Sequence, residues 1–214
     1  MTSTPSEPEA ASVSVRRFSL VERVVHRGTS ALMIACIVTG AILYNGSIEL
    51  KVGHRHAVEL VHVYCGFALP VPILAGFATR AFRDDVGLLS HFTPSDWRWL
   101  HSRTRRDGTI RVGKFNAGQK LNAALTAGAM AVLLGTGILM YYVGLARLSW
   151  RSGATFVHDW FSLGVGMLVL GHIYFAVKDR EARRGMRTGR VTLRWARQEH
   201  ADWAEEMTRH PGGD

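Results

Sequence analysis

The chain has 214 residues, a formal net charge of +9 and two cysteines. Its length suits one domain of ordinary size, and the cysteines, Cys36 and Cys65, form neither a CxxC motif nor a zinc-ribbon spacing. The excess of basic residues does not indicate nucleic-acid binding, because all but four of the 26 lysines and arginines lie in three blocks that border apolar segments.

Four apolar segments approach the roughly 20 residues that a helix needs to cross a bilayer. They cover about residues 26–45, 57–79, 120–144 and 155–177. The basic blocks precede the first segment, separate the second from the third, and follow the fourth, so the positive-inside rule places both termini and the middle loop in the cytoplasm. The sequence therefore predicts an all-α membrane protein with a bundle of four transmembrane helices.

The N-terminal part of the chain leads into the first span. Residues 1–15 have neither the positive region nor the apolar core of a signal peptide, and we expect them to be a disordered tail. Residues 16–180 are predicted to form the four-helix transmembrane domain. Within it, His26 lies about one turn inside the cytoplasmic border, where an interfacial histidine is the simplest interpretation of that residue alone.

The second span carries His62 near its outer end and Gly66 one turn further along the helix. A glycine at this offset removes a side chain beside the imidazole, which permits either a flat ligand against the backbone or close helix packing. Pro70 and Pro72 are expected to kink this helix in mid-membrane.

The segment between the second and third spans is predicted to be a loop over residues 83–114. Within it, residues 94–102 are expected to form a short helix that Thr93 or Ser95 caps. Polar side chains then crowd the cytoplasmic end of the third span, where they are either interfacial anchors or ligands for a polar head group. These residues are Lys114, Asn116, Gln119, Lys120 and Asn122.

The fourth span contains His158 and His172, which are 14 residues apart with almost no polar residue between them. In a helix this spacing separates the imidazoles by about 21 Å along the axis and leaves them within about 40° of one face. Residues 181–214 follow as a basic, helical cytoplasmic tail that lies on the membrane or on a partner. His200 and His210 in this tail are expected to be exposed.

The alternating direction of the spans sorts the four histidines into two depths. His62 and His158 lie near the outer side, and His26 and His172 lie near the cytoplasm. Two such pairs are the arrangement that two bis-histidine haems require.

Two other interpretations of the histidines stay open. They are either structural residues of a non-redox membrane anchor or part of a proton-coupled transporter. A transporter of that kind usually carries intramembrane carboxylates, and here the nearest ones, Glu59 and Asp159, stand at the outer border.

The octapeptide GKFNAGQK at residues 113–120 carries a family resemblance. It is similar to the GKYNAGQK signature of the di-haem membrane cytochrome b (gamma) subunits of respiratory formate dehydrogenases, and the chain more distantly resembles those of nickel–iron hydrogenases. The histidine before the first span, the HxxxG of His62 and Gly66, and Tyr174 after the paired histidines add to the resemblance. It extends from about residue 16 to residue 203.

This resemblance implies two haem b groups in a bacterial cell membrane. His62 and His158 would ligate the iron of the outer haem, and His26 and His172 that of the inner haem. Electrons would enter at the outer face from iron–sulfur and catalytic oxidoreductase subunits, because the chain has no substrate-oxidising site of its own.

The resemblance also implies a quinone site beside the inner haem. The quinone, menaquinone or ubiquinone, would bind near the cytoplasmic side at a turn that includes Asn116, Gly118 and Gln119. The predicted function is therefore a membrane subunit that reduces quinone with electrons from a partner.

Overall fold

The computed structural model describes residues 13–104 and 109–209, and the described chain is mostly helical. In chain order its elements are β1 Ser14–Arg16, α1 Leu20–Tyr44, α2 Gly46–Val52, α3 Arg55–Ala68, α4 Pro70–Gly76, α5 Arg80–Ser90, α6 Pro94–His101, α7 Ala117–Tyr141, α8 Leu148–Lys178, α9 Arg180–Thr188, β2 Arg190–Thr192, α10 Leu193–Glu199 and α11 Ala201–Arg209.

Four helical segments are long and apolar enough to cross a membrane, which confirms the predicted all-α fold with four spans. They are α1, α3 together with α4, α7, and α8. Helices α1 and α8 begin earlier than predicted, at Leu20 and Leu148. The prediction followed only the apolar residues, whereas each helix continues through an adjoining polar stretch that contains no proline.

The second span is interrupted where its prolines lie, as predicted. Helix α3 ends at Ala68, and α4 begins with Pro70 in the first helical turn. Proline has no N–H to donate, so it fits the start of a helix and breaks the hydrogen-bond ladder before it. At the break, the backbone N–H of Leu69 donates to Gly66 O over 3.3 Å.

The chain divides into two compact units. The first, here called the histidine unit, comprises residues 24–79 and 125–172. Its core contains Met33 of α1, Leu69 at the interruption and Val165 of α8, with Leu133 of α7 packed against them. All four spans therefore contribute to one apolar core.

The second, here called the terminal unit, comprises residues 13–23, 80–104, 109–124 and 173–209 of the described chain. Strand β1 pairs antiparallel with β2, with Val15 opposite Val191. The buried residues of its core lie in β2, α10 and α11, and Val15 packs against them. They are Val191, Leu193, Ala196, Trp203 and Ala204.

The terminal unit corrects three expectations. Residues 1–12 of the predicted disordered tail lie outside the described part of the chain, but Ser14 and Val15 are not disordered, because they pair with β2. Residues 181–209 do not form a separate tail, since they share a compact unit with residues from earlier in the chain. His200 is buried rather than exposed, between Trp195 and Trp203, and its Nδ1 lies 2.7 Å from Gly113 O. His210 lies outside the described residues.

The segment predicted as a loop over residues 83–114 is more helical than expected. Helix α5 covers its first part, which the sequence analysis missed. The short helix α6 is present as predicted, and Thr93 caps it in a reciprocal capping box with Asp96. The Thr93 N–H donates to Asp96 Oδ2, and the Asp96 N–H donates to Thr93 Oγ1. These two hydrogen bonds cap α6, which begins at Pro94.

Candidate functional site

The histidine unit brings the four intramembrane histidines together as two pairs. The rings of His62 and His158 have centroids 6.2 Å apart, and those of His26 and His172 have centroids 6.1 Å apart. His158 and His172 both belong to α8, while His26 comes from α1 and His62 from α3. One helix therefore contributes to both pairs.

We call His62 and His158 the outer pair, and His26 and His172 the inner pair, after their predicted depths. In the outer pair, each histidine ring contacts the hydroxyl group of a threonine. Thr39 Oγ1 lies 2.9 Å from His62 Nδ1, and Thr136 Oγ1 lies 2.9 Å from His158 Nδ1. Each hydroxyl donates to a carbonyl of its own helix, that of Thr39 to Ala35 O over 2.6 Å and that of Thr136 to Val132 O over 2.8 Å. Each hydroxyl therefore accepts a hydrogen bond from Nδ1–H, which leaves both Nε2 atoms unprotonated, each with a free lone pair.

A glycine follows each of these threonines and lies against the histidine ring. A Cβ on Gly40 would come within 3.3 Å of His62 Cε1, and one on Gly137 within 3.5 Å of His158 Cε1. The sequence analysis missed both threonines and Gly40. The detectable pattern is a Thr–Gly pair in the first and third spans, 23 residues before His62 and 22 residues before His158.

The inner pair has less support from the protein. Within the described part of the chain, neither His26 nor His172 makes a side-chain hydrogen bond, and both are exposed. Two residues after His26, a Cβ on Gly28 would lie 3.3 Å from Cγ of Pro72. The two rings are nonetheless as close together as those of the outer pair.

Both pairs fit the axial positions of a haem. Two imidazoles on opposite sides of one metal, each bonded at about 2 Å, have ring centroids about 6 Å apart. A Cβ on Gly66, one turn from His62, would meet no protein atom within 4 Å, so a flat group can lie against the backbone there. The described residues contain no group of three or more side chains that could hold a metal ion, and each pair offers two imidazoles.

Asn116 and Gln119 form a capping box at the start of α7. The Gln119 N–H donates to Asn116 Oδ1, and the Asn116 N–H donates to Gln119 Oε1, both over 2.9 Å. The cap occupies both side-chain oxygens. The side-chain NH₂ groups of the two residues make no hydrogen bond to the described part of the chain.

Gly118 and Lys120 complete this turn. A Cβ on Gly118 would lie 3.3 Å from the ring of Trp99 and from Asn116 Oδ1. Lys120 is buried and donates to Asp96 Oδ2 over 2.7 Å and to His91 O over 2.9 Å. Burial acts to raise the pKa of Asp96, but hydrogen bonds from Lys120 and Thr93 outweigh it and hold that pKa below its usual range. Lys120 is therefore a structural anchor of α6.

Comparisons with known proteins identify the family of this chain. The family model for prokaryotic cytochrome b561 matches residues 17–190, a range that includes all four histidines and the 116–119 turn. The chain is 29% identical over 159 residues to the cytochrome b556(Fdn) subunit of the nitrate-inducible formate dehydrogenase of Escherichia coli K12, which covers 70% of each protein. It is 37% identical over 99 residues to the cytochrome b556 subunit of the formate dehydrogenase of Haemophilus influenzae, which covers 44% of this chain and 41% of that subunit.

Proposed function

The chain belongs to the prokaryotic cytochrome b561 family and is a multi-pass membrane cytochrome b with a role in electron transfer; from this premise we propose a specific electron path. Electrons enter from an oxidoreductase partner at the outer face of the bacterial cell membrane. They pass through two haems b and reduce a quinone near the cytoplasmic side. The distribution of lysine and arginine supports a cytoplasmic location for both termini in this proposal.

The observation that carries this proposal is the spacing of the two histidine pairs. Two pairs with nearly equal ring separations, on three helices, are what two six-coordinate haems need from the protein. We assign His62 and His158 to the outer iron, and His26 and His172 to the inner iron. Haem supplies reversible one-electron chemistry when it is bound, and the protein supplies axial ligands and their orientation.

The residues around the outer pair have a defined role in this proposal. The hydroxyls of Thr39 and Thr136 hold the Nδ1–H groups, so each ring presents Nε2 in a fixed direction. Such partners orient a metal-bound histidine and raise its basicity. Helix α8 carries one ligand of each pair about 21 Å apart along its axis, so the two centres lie at different depths on one electron path.

We assign quinone binding to the turn that contains Asn116, Gly118 and Gln119. The side-chain NH₂ groups of Asn116 and Gln119 are hydrogen-bond donors not used by the capping box, and a quinone carbonyl is an acceptor. Gly118 lets the ring of Trp99 pack closely against the turn, because a Cβ at this residue would lie 3.3 Å from that ring. The ring of menaquinone or of ubiquinone presents the same pair of carbonyls to these donors.

The partners are proposed from the named relatives, which are subunits of formate dehydrogenases. We propose that this chain associates with iron–sulfur and catalytic oxidoreductase subunits in the same way. The apolar outer faces of the spans, which expose large side chains such as Trp160 and Phe175, suit contact with lipid or with the membrane segment of a partner.

A redox spectrum of the purified full-length chain in detergent tests the haem assignment. We expect a b-type α band in the reduced-minus-oxidised spectrum and a ratio of two haems per chain. A chain without this band would instead be a membrane anchor with structural histidines. A ratio of one would contradict the assignment of one of the two pairs.

The quinone site can be tested without disturbing the capping box. Asn116→Asp and Gln119→Glu retain the oxygens that cap α7 but remove the NH₂ donors. Asn116→Ser also removes the NH₂ group, and its hydroxyl oxygen can cap the helix without adding charge. We expect each to slow quinol formation about tenfold while both haems stay bound.

A matched control for these variants is Asn45→Asp. Asn45 caps α2, and its side-chain oxygen accepts from the N–H groups of Ser47 and Ile48. This change should leave quinol formation unaltered. Normal turnover in Asn116→Ser and Gln119→Glu would show that the turn serves only to cap the helix.

A further inference from the structure

A buried ionic cluster lies in the terminal unit at the start of α1. Lys114 Nζ is 2.5 Å from Asp85 Oδ1 and 3.4 Å from Glu22 Oε1. The side chains of Asp85 and Glu22 are 9% and 8% exposed, and that of Lys114 is 16% exposed. Two carboxyl groups therefore share one ammonium group in a site that is largely removed from water.

Two carboxyl groups beside a single ammonium group favour a state in which one proton is held between the two carboxyl groups. Burial and a hydrogen bond with Glu22 raise the pKa of Asp85 to about 7, against the opposing charge of Lys114. Glu22 also accepts the backbone N–H of Ser19, so one of its oxygens is committed to the helix cap. Near neutral pH the pair can therefore take up or release a proton while each group stays in place.

Arg17 is a second observation at this cluster. It is 4% exposed, its Nη2 donates to Lys114 O over 2.8 Å, and its charge is close enough to Asp85 to interact with it. Its Nε and Nη1 are buried without a hydrogen-bond acceptor among the described residues. Burial lowers the pKa of Arg17 to about 10, with the charges of Asp179 and Asp85 acting in the other direction. The guanidinium lies 4.7 Å from the centre of the Trp195 ring, so it is a buried cation near the carboxyl pair.

The cluster is close in the chain to the turn assigned to quinone. Lys114 stands two residues before Asn116, and its ammonium group also lies 5.6 Å from the centre of the Phe115 ring. The charged groups that face Asp85 from neighbouring elements are Glu22, Lys114 and Arg17, and none of them is an assigned haem ligand.

We propose that Asp85 and Glu22 hold a proton beside Lys114 and pass it from the aqueous phase to the quinone at the Asn116–Gln119 turn. This inference rests on the proposed quinone reduction, in which one quinone takes two electrons and two protons to give one quinol. The electrons come from the partner by way of the haems. Each proton leaves the carboxyl pair, and the pair takes up a replacement from the aqueous phase.

The test compares Asp85→Asn with Asp84→Asn. Asp85→Asn removes the proton-carrying carboxyl group but retains the shape of the side chain. Asp84→Asn makes the same change at the preceding residue, whose side chain is 65% exposed. At pH 7 we expect Asp85→Asn to slow quinol formation about tenfold and Asp84→Asn to have no effect. Reduction of the haems by the donor should be unchanged in both.

The pH profile separates proton delivery from a structural role. In the wild type, quinol formation should fall as the pH rises through about 7, where Asp85 loses its proton. Asp85→Asn should be slow throughout and lack this inflection, and Glu22→Gln, which retains the helix cap, should shift it. A wild-type profile in Asp85→Asn would overturn the inference.

Infrared spectroscopy gives a readout that does not depend on turnover. The carbonyl band of a protonated carboxyl group should be present in the wild type below pH 7, disappear above it, and be missing in Asp85→Asn. If the wild type lacked this band, the present inference would be overturned, but the proposed quinone reduction would not. A wild type that forms no quinol would overturn the proposed quinone reduction and this inference with it.

Discussion

The two histidine pairs have nearly the same ring separation but are held in different ways. In the outer pair, a threonine hydroxyl binds each Nδ1 and a glycine lies against each ring. In the inner pair, the described chain offers neither ring a hydrogen bond, and both rings are exposed. Nearly the same ring separation therefore occurs in one pair with a hydroxyl contact to each ring and in the other through helix packing alone.

This difference bears on how tightly each site would hold its haem. Partners that orient a ligating histidine typically improve metal affinity 10- to 100-fold. We therefore expect the outer haem to bind more tightly and the inner haem to be lost first under mild denaturation.

The largest expected effect comes from removing a ligand on the helix that both pairs share. His158→Ala should remove the outer haem and His172→Ala the inner one, so each variant should retain about one haem per chain. His56→Ala, at an exposed residue near the start of α3, should retain both. Haem content and the α band of each variant measure this, and loss of both haems from a single change would contradict independent sites.

A smaller effect is expected from the residues that distinguish the outer pair. Thr39→Val and Thr136→Val remove the acceptor for Nδ1–H at nearly constant volume, and we expect the affinity of the outer site for haem to fall about tenfold. The inner site should be unaffected. Haem titration of the apoprotein measures both affinities.

Two further variants control for the loss of a threonine itself. Thr39→Ser restores a hydroxyl and should recover most of the affinity. Thr155→Val, at an exposed position on α8 where the hydroxyl bonds only to Arg151 O, should change nothing. If Thr155→Val weakened haem binding as much as Thr39→Val did, the hydrogen bond to His62 would not be the cause.

The smallest expected effect distinguishes the two halves of the outer pair. Gly40→Ala places a Cβ 3.3 Å from the His62 ring, so the imidazole must shift, whereas Gly137→Ala gives an ordinary contact of 3.5 Å with the His158 ring. We expect Gly40→Ala to weaken outer haem binding about threefold and Gly137→Ala to have less effect. Equal effects in the same titration would mean that neither ring is restrained by its glycine.

The sequence predicted the features that depend on local pattern. Apolar length predicted the four spans, proline predicted the interruption at Leu69, and Thr93 predicted the start of α6. The four histidines were found in the same way, because ionisable residues are rare inside membrane helices. Their role as haem ligands stays a prediction, as does the quinone site at the 116–119 turn.

Features that depend on contacts between distant residues were not predicted. Thr39 and Thr136 look like ordinary small polar residues of membrane helices, and only the packing of neighbouring spans brings them to His62 and His158. The burial of His200 similarly depends on Gly113, 87 residues earlier in the chain. Local periodicity carries no information about such pairs.

The pairing of β1 with β2 has a consequence for the order in which the protein is made. Strand β1 leaves the ribosome before the first span, and its partner is synthesised only after the fourth, 176 residues later. The terminal unit therefore cannot close until every span exists. Until β2 has been synthesised, β1 presents an unpaired strand edge.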